Sequence, residues 1–239
     1  DSLSTLHQSR GIEPKAIHNT GNPRYDGLLH LDTDLIRHTA RRALGLSDEP
    51  TMLWAGQPDG DNSFQALERI LSRFTSPNTV LLFRAHPRDS AYNLGKYTSL
   101  MKNISPRILD VSSYPNVTDL YCASDLTITQ FSSAGVEAGY LGVPALFVLF
   151  NDLGKEYLRS VKGYGSLPWC EEGCAFLLER EEEVSNVLNA ALFNASSRKQ
   201  IVDGFQSRFG ADRNSARQIA RQIRAVMGQI DREATISGT

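Results

Sequence analysis

Cysteine is scarce in this chain: three in 239 residues, at positions 122, 170 and 174. Three thiols cannot build a framework of bridges, and they suit a reducing compartment, so a cytoplasmic location is expected. Cys170-x-x-x-Cys174 has no nearby histidine or second cysteine pair. The spacing therefore does not read as a zinc site, and neither a metal nor a cofactor is expected. Long apolar runs are missing too. The longest, residues 143–150, falls far short of the ~20 residues that cross a bilayer. No signal-peptide pattern opens the chain. Charge of one sign is not in excess; the formal net charge of −2 gives no electrostatic reason to expect nucleic acid. There is no internal repeat and no initiator Met, so the chain reads as the downstream part of something longer. What remains is 41% hydrophobic composition, enough for one large or two small globular domains.

The most informative stretch is Asp125-Leu-Thr-Ile-Thr-Gln-Phe-Ser-Ser-Ala-Gly-Val-Glu-Ala-Gly-Tyr-Leu-Gly-Val-Pro144. It opens on an apolar, β-branched run of the kind a buried parallel strand needs. Ser132, Ser133 and Gly135 follow, and then a helical pattern that Gly142-Val143-Pro144 stops. A strand that turns through Ser-Ser-x-Gly into a helix leaves backbone N–H groups unpaired at the positive end of the helix dipole. That is an anion site, and phosphate is its usual occupant. Glu137, about a turn into the helix, can accept hydrogen bonds from sugar hydroxyls beside the phosphate. The competing reading is purely structural: the serines cap the helix and Glu137 favours its N-terminus.

Around this stretch the chain falls into segments. Residues 1–45 read as a linker and a packing helix. A short strand is expected over residues 15–20, a turn at Gly21-Asn22-Pro23-Arg24, and a helix over 34–44. From Pro50 apolar strands alternate with amphipathic helices, which is the pattern of a parallel α/β sheet. Strands are expected at 51–55, 79–83, 108–111, 126–129 and 145–150, with a last one at 166–170. Helices are expected at 64–74, 116–123, 153–161 and 181–192. Residues 46–195 form the Rossmann-like domain on this reading, 196–232 are C-terminal helices, and 233–239 are a disordered tail. One face of the last helix carries Arg213, Arg217, Arg221 and Arg224. A solvated face is the favoured reading there, with peripheral membrane contact as the alternative.

Open α/β sheets bind ligands beyond the carboxyl ends of their strands, at the switch point. Three of the loops there are chemically loaded. The first strand ends at Gly56-Gln57, where glycine lets backbone approach a phosphate closely. The second ends in Arg84 and His86, a fixed cation and a proton-exchanging ring. The fourth carries the serine loop and Glu137. Each is weak alone; their convergence on one edge favours a diphosphate-plus-sugar site.

These same residues carry a resemblance. Arg84-Ala85-His86-Pro87 and Thr129-Gln130-Phe131-Ser132-Ser133, together with Asp119-Leu-Tyr-Cys-Ala-Ser-Asp125, resemble elements in the C-terminal half of GT-B-fold sugar-nucleotide enzymes. The pattern is similar to that of the CDP-glycerol glycerophosphotransferases of teichoic-acid synthesis, and also to bacterial UDP-N-acetylglucosamine 2-epimerases. Asn19-Thr-Gly-Asn-Pro-Arg-Tyr-Asp26 resembles the segment linking the two domains of such enzymes. The resemblance implies that Ser132, Ser133 and Gly135 meet the donor diphosphate and that Glu137 meets ribose or sugar hydroxyls; Gly56 and Gln57 are expected to line the donor from their place after the first strand. It implies that Arg84 and His86 stabilise the leaving group. The implied partners are a UDP- or CDP-type donor and an N-terminal domain, outside this chain, that carries the acceptor site.

Two departures bear on the activity. Gln130 replaces the acidic residue both families carry there, and Ser132-Ser133 replaces the epimerase glycines. Glu137 followed by Ala138-Gly139 looks more like a sugar-nucleotide glycosyltransferase, so sugar transfer from a nucleoside-diphosphate donor is the expected reaction. Epimerisation, glycerophosphate transfer and a non-catalytic nucleotide-binding module are the alternatives.

Overall fold

Thr51–Ala55 is buried along its whole length, as a strand flanked by helices on both faces must be. In the computed structural model, which describes residues 7–102, 107–150, 154–156, 158–162, 166–210 and 214–237, this strand (β1) lies near the middle of a six-stranded sheet. The others are β2 (Val80–Arg84), β3 (Arg107–Asp110), β4 (Leu126–Thr129), β5 (Ala145–Val148) and β6 (Phe176–Leu178). Every pairing is parallel, and the order is β3-β2-β1-β4-β5-β6. The strand order therefore reverses between β1 and β4, which makes their carboxyl ends the switch point. The α/β, Rossmann-like architecture expected from the alternation is the one found.

Side-chain alternation divides the core into two. Met52, Trp54, Leu81, Phe83, Ile128, Leu146 and Val148 face one layer, against Leu67 and Ile70 of the helix Gly60–Leu71 and Leu188 and Leu192 of the helix Val184–Phe193. Ala145, Phe147 and Leu149 face the other way, against Leu158, Leu167 and Ala175. Two neighbouring residues of β5 thus serve opposite layers, the period of two that a strand imposes.

The chain forms two units: residues 31–210, and residues 1–30 with 211–239. In the first, the helix Thr33–Ala43 starts on Asp32, whose carboxylate accepts from the Leu35 N–H at 3.0 Å. The helix Ala195–Phe209 belongs to the same unit, with Phe205 edge-on to Tyr140 at 5.3 Å. In the second, Asn22 caps a short helix Pro23–Asp26. Asp26 in turn accepts from the Ala216 N–H at 3.0 Å, at the start of the helix Ser215–Ser237. That bond holds the Asp26 carboxyl below the usual carboxylate range.

Several expectations differ from the structure. Residues 166–170 do not form a strand. Pro168 starts the short helix Pro168–Glu171 instead, and the sixth strand is Phe176–Leu178. Proline has no N–H for a ladder and is preset for a first helical turn. Residues 15–20 form no strand either; Pro14–Ala16 is a single 3-10 turn. The last helix continues through Glu233 to Ser237. The helix expected over 153–161 falls partly outside the described residues; of the part described, Leu158–Lys162 is wound as a π-helix.

Candidate functional site

The loops after β1, β2 and β4 meet because their strands are neighbours. The Gly56 N–H donates to the Arg84 carbonyl at 2.9 Å, continuing the β1–β2 ladder into the loops. A Cβ at Gly56 would stand 3.2 Å from that carbonyl and 3.3 Å from the His86 nitrogen. Glycine here admits close approach of two backbones, whatever else it admits. Gln57 is buried, and its amide donates to the Thr129 hydroxyl at 3.1 Å. That hydroxyl donates onward to the Ala55 carbonyl at 2.9 Å. A side-chain relay therefore ties the β1 loop to the end of β4, across the switch point.

Arg84 and His86 are held differently from each other. One guanidinium nitrogen of Arg84 donates to the Tyr114 carbonyl at 2.7 Å and, more weakly, to that of Val111 at 3.4 Å. The side chain thus braces the loop after β3, with its other nitrogens turned from that task. His86 accepts the Arg88 N–H on Nδ1 at 3.1 Å, which leaves the proton of the neutral ring on Nε2. Burial, then the Arg88 cation, pushes the His86 ring below its ordinary pKa. At neutral pH it is a neutral donor.

The serine loop begins the helix Ser133–Tyr140. Ser132 is the N-cap, and its hydroxyl oxygen accepts the Ala134 N–H at 3.2 Å. The Ser133 hydroxyl donates to Oε1 of Glu137 at 3.1 Å. The Ser133 N–H has no partner among the described residues and stands at the positive end of the helix dipole. Gly135 sits on the buried side of the helix, where a Cβ would press into the Phe147 ring, 2.9 Å from Cε2 and nearer still to Cζ. Its place is the seam between helix and sheet. Glu137 is 7% exposed and accepts from the Tyr121 hydroxyl at 3.2 Å as well as from Ser133.

Four contributors escaped the sequence reading: Tyr121, Thr129 as a relay, Ser63, whose hydroxyl accepts from the Gln57 N–H at 3.3 Å, and Ser112, whose hydroxyl accepts from the Ala85 N–H at 2.9 Å. No spacing announces such partners; only the sheet order brings them together. Two Asp-x-Asp spacings are also present, Asp32–Asp34 and Asp59–Asp61. Their first members are helix N-caps, and Asp61 pairs with Lys96 at 2.6 Å.

With this geometry in view, the sequence model of the CDP-glycerol:poly(glycerophosphate) glycerophosphotransferase family matches residues 2–225. The chain belongs to that family. Among solved structures, the wall teichoic acid polymerase TagF superposes with a TM-score of 0.55 at 21% identity, over 91% of this chain and 53% of that one. A putative UDP-N-acetylglucosamine 2-epimerase from Listeria monocytogenes does so at 0.58 and 19% identity, over 93% and 56%. WaaG, a glycosyltransferase involved in lipopolysaccharide biosynthesis, does so at 0.51 and 17% identity, over 77% and 50%. At these identities the likeness is one of fold. The chain spans about half the length of the structures it matches. No curated protein sequence matched it. The family resemblance carried by the Arg-x-His-Pro and Ser-Ser elements is thereby borne out.

Proposed function

We propose that this chain is the donor-binding half of a glycerophosphotransferase and holds a CDP-glycerol-type donor at the carboxyl ends of β1, β2 and β4. The observation that carries the reading is the sheet order. It sets Gly56, His86 and the Ser132–Ser133 turn on three adjacent strands at the switch point, in a chain that belongs to the glycerophosphotransferase family. The diphosphate lies at the N-terminus of the helix Ser133–Tyr140, where the free Ser133 N–H and the dipole meet its charge. His86 donates from Nε2 to a phosphate oxygen, and the free nitrogens of Arg84 neutralise developing charge. Glu137 accepts from ribose hydroxyls.

The reaction follows from the donor. An acceptor hydroxyl attacks the phosphorus that bears glycerol, the bridging P–O bond breaks, and CMP leaves with the bonding pair. Transfer of a sugar, the second reading, breaks the C–O bond at the sugar instead and releases the nucleoside diphosphate. Glu137 with Ala138-Gly139 favours that second reading, and family membership favours the first.

Calorimetric titration with CDP, CDP-glycerol and UDP, each with and without EDTA, tests the donor site. Binding of CDP-glycerol that EDTA leaves unchanged is expected, since backbone and cationic groups meet the phosphates. Failure of all three to bind overturns the proposal. With an acceptor and the companion half supplied, release of CMP separates glycerophosphate transfer from sugar transfer, which releases the diphosphate.

A further inference from the structure

The loop after β1 presents an acceptor where a phosphate site would present donors. Its first backbone N–H groups are turned inward: that of Gly56 donates to the Arg84 carbonyl at 2.9 Å, and that of Gln57 to the Ser63 hydroxyl at 3.3 Å. Ser63 lies in the helix Gly60–Leu71 and is fully buried. The next residue, Pro58, has no N–H to offer.

The Gln57 side chain is fixed through its amide nitrogen. Nε2 donates to the Thr129 hydroxyl at 3.1 Å and, more weakly, to the Gly56 carbonyl at 3.4 Å. Thr129 gives its own proton to the Ala55 carbonyl at 2.9 Å, so toward Gln57 it is an acceptor only. Turning the amide round would set Oε1 against both of these acceptors, so the network assigns which end is which. Oε1 accepts no hydrogen bond among the described residues. Gln130 provides the contrast, because its Oε1 is unpartnered and also sealed from solvent. Gln57 is 5% exposed, and its Oε1 is not among the sealed atoms. The small exposed part of this side chain therefore includes a fixed acceptor, at the switch point between β1 and β4.

Such an acceptor repels phosphate oxygens and takes a hydroxyl or amino group. β1 lies between β2, which carries the His86 loop, and β4, which leads to the Ser133 N–H. In the proposed reading those two groups meet the phosphates, so Gln57 meets the hydroxyl that stands closest to phosphate. In a CDP-glycerol-type donor that hydroxyl is on the central carbon of glycerol, one carbon nearer the phosphate than any ribose hydroxyl. The amino group of the base is farther still. We infer that Gln57 is a specificity-determining residue for the transferred group: its Oε1 accepts from the central hydroxyl of the glycerol unit, and Thr129 is the positioning residue that holds the amide for it. This rests on the proposed donor reading.

The test titrates the full chain by calorimetry with CDP-glycerol and with the CDP ester of 1,3-propanediol, which lacks only the central hydroxyl. The wild type is expected to favour CDP-glycerol about fivefold, the worth of one neutral hydrogen bond. Gln57→Met keeps the length and removes the acceptor; it is expected to abolish that preference while the propanediol ester binds as before. Thr129→Val, which frees the amide to turn, is expected to cut the preference to about twofold. The preference is a ratio within one protein, so partial unfolding of a variant does not alter it. A wild type that binds both esters equally overturns the inference and leaves the donor site standing. So does a Gln57→Met that weakens both esters alike, the result if Gln57 meets ribose or base or only braces the loop. An unchanged preference in Thr129→Val overturns the role given to Thr129. A wild type that binds neither ester overturns the donor reading itself.

Discussion

Gly135 and Phe147 form the seam between the helix Ser133–Tyr140 and β5: a Cβ on the glycine would lie 2.9 Å from Cε2 of the ring and closer to Cζ. Phe147 is itself packed against Trp169 at 5.6 Å and is fully buried, so it cannot yield. Gly135→Ala is expected to destabilise the domain by about 1–3 kcal/mol through overpacking. Phe147→Leu, which shortens the opposing side chain, should recover part of that loss in the double variant. Urea unfolding of the four proteins measures it. Equal stability of Gly135→Ala and wild type would show that the helix can shift outward freely.

Arg41 does at the amino ends of the strands what no backbone group can. It donates to the carbonyls of Ser47, Glu49 and Ala123 and to the Thr51 hydroxyl, and it stands 3.9 Å from Asp125. Burial lowers its pKa, with the neighbouring Arg37 adding to the effect. Arg41→Met is expected to cost about 2–4 kcal/mol, because the buried carbonyls lose their donor together, while Asp125 keeps Arg37 at 2.8 Å. Nucleotide affinity should not change, since the opposite edge of the sheet holds the candidate donor site. Arg180→Ala, which removes an exposed pair with Glu183, should leave the unfolding midpoint where it was. Loss of CDP binding in Arg41→Met would mean that the two edges are coupled.

The same contrast explains what was legible in the sequence. The strands Thr51–Ala55 and Leu126–Thr129 stand at the expected bounds, because runs of apolar, β-branched residues bounded by turn residues state a buried strand directly. β6 did not: three residues, Phe176–Leu178, are too short for any period, and their strand character comes only from pairing with β5. For the candidate site, Gly56, Arg84, His86, Ser132 and Glu137 were singled out by their position after strands, and the structure sets them at the carboxyl ends of β1, β2 and β4. Tyr121 could not be, because it lies inside a helix pattern and its hydroxyl acquires meaning only from Glu137. Gly135 was expected to meet the diphosphate, but the neighbour it approaches among the described residues is the Phe147 ring.

His86 makes stability depend on pH. Its ring pKa is lowered in the folded state by burial first and Arg88 second, against an ordinary value of about 6.5. The unfolded chain therefore takes up the proton first as pH falls. The contribution of the neutral ring is fully present above about pH 6.5 and is lost as pH drops through the folded pKa. Denaturation free energies at pH 8 and pH 5.5 should differ in that direction. His86→Asn keeps an acceptor for the Arg88 N–H but does not titrate, and it should shrink the difference. An identical pH slope in the variant would assign the effect elsewhere.

Gln130 follows the relay residue Thr129 at the end of β4, is 1% exposed, and its Oε1 has no hydrogen-bond partner among the described residues. An orphaned buried acceptor costs about 1–3 kcal/mol, and replacing it by an apolar group of similar shape is close to neutral or stabilising. Gln130→Leu is therefore expected to leave the apo domain as stable as before or to raise its stability by about 1 kcal/mol. Such a group can be kept against that gain where function needs it, and Gln130 lies in the chain between Thr129, which accepts from Gln57, and the N-cap Ser132. Ligand linkage makes the two effects separable. A ligand at a hundred times its Kd adds about 2.7 kcal/mol to unfolding. At the same CDP concentration the leucine variant should gain less than the wild type, although its apo form is no weaker. Urea unfolding with and without CDP reads both quantities in one set of samples. A variant that loses apo stability outright would show the amide to be a structural group. One that gains as much from CDP as the wild type would place Gln130 outside the donor's reach.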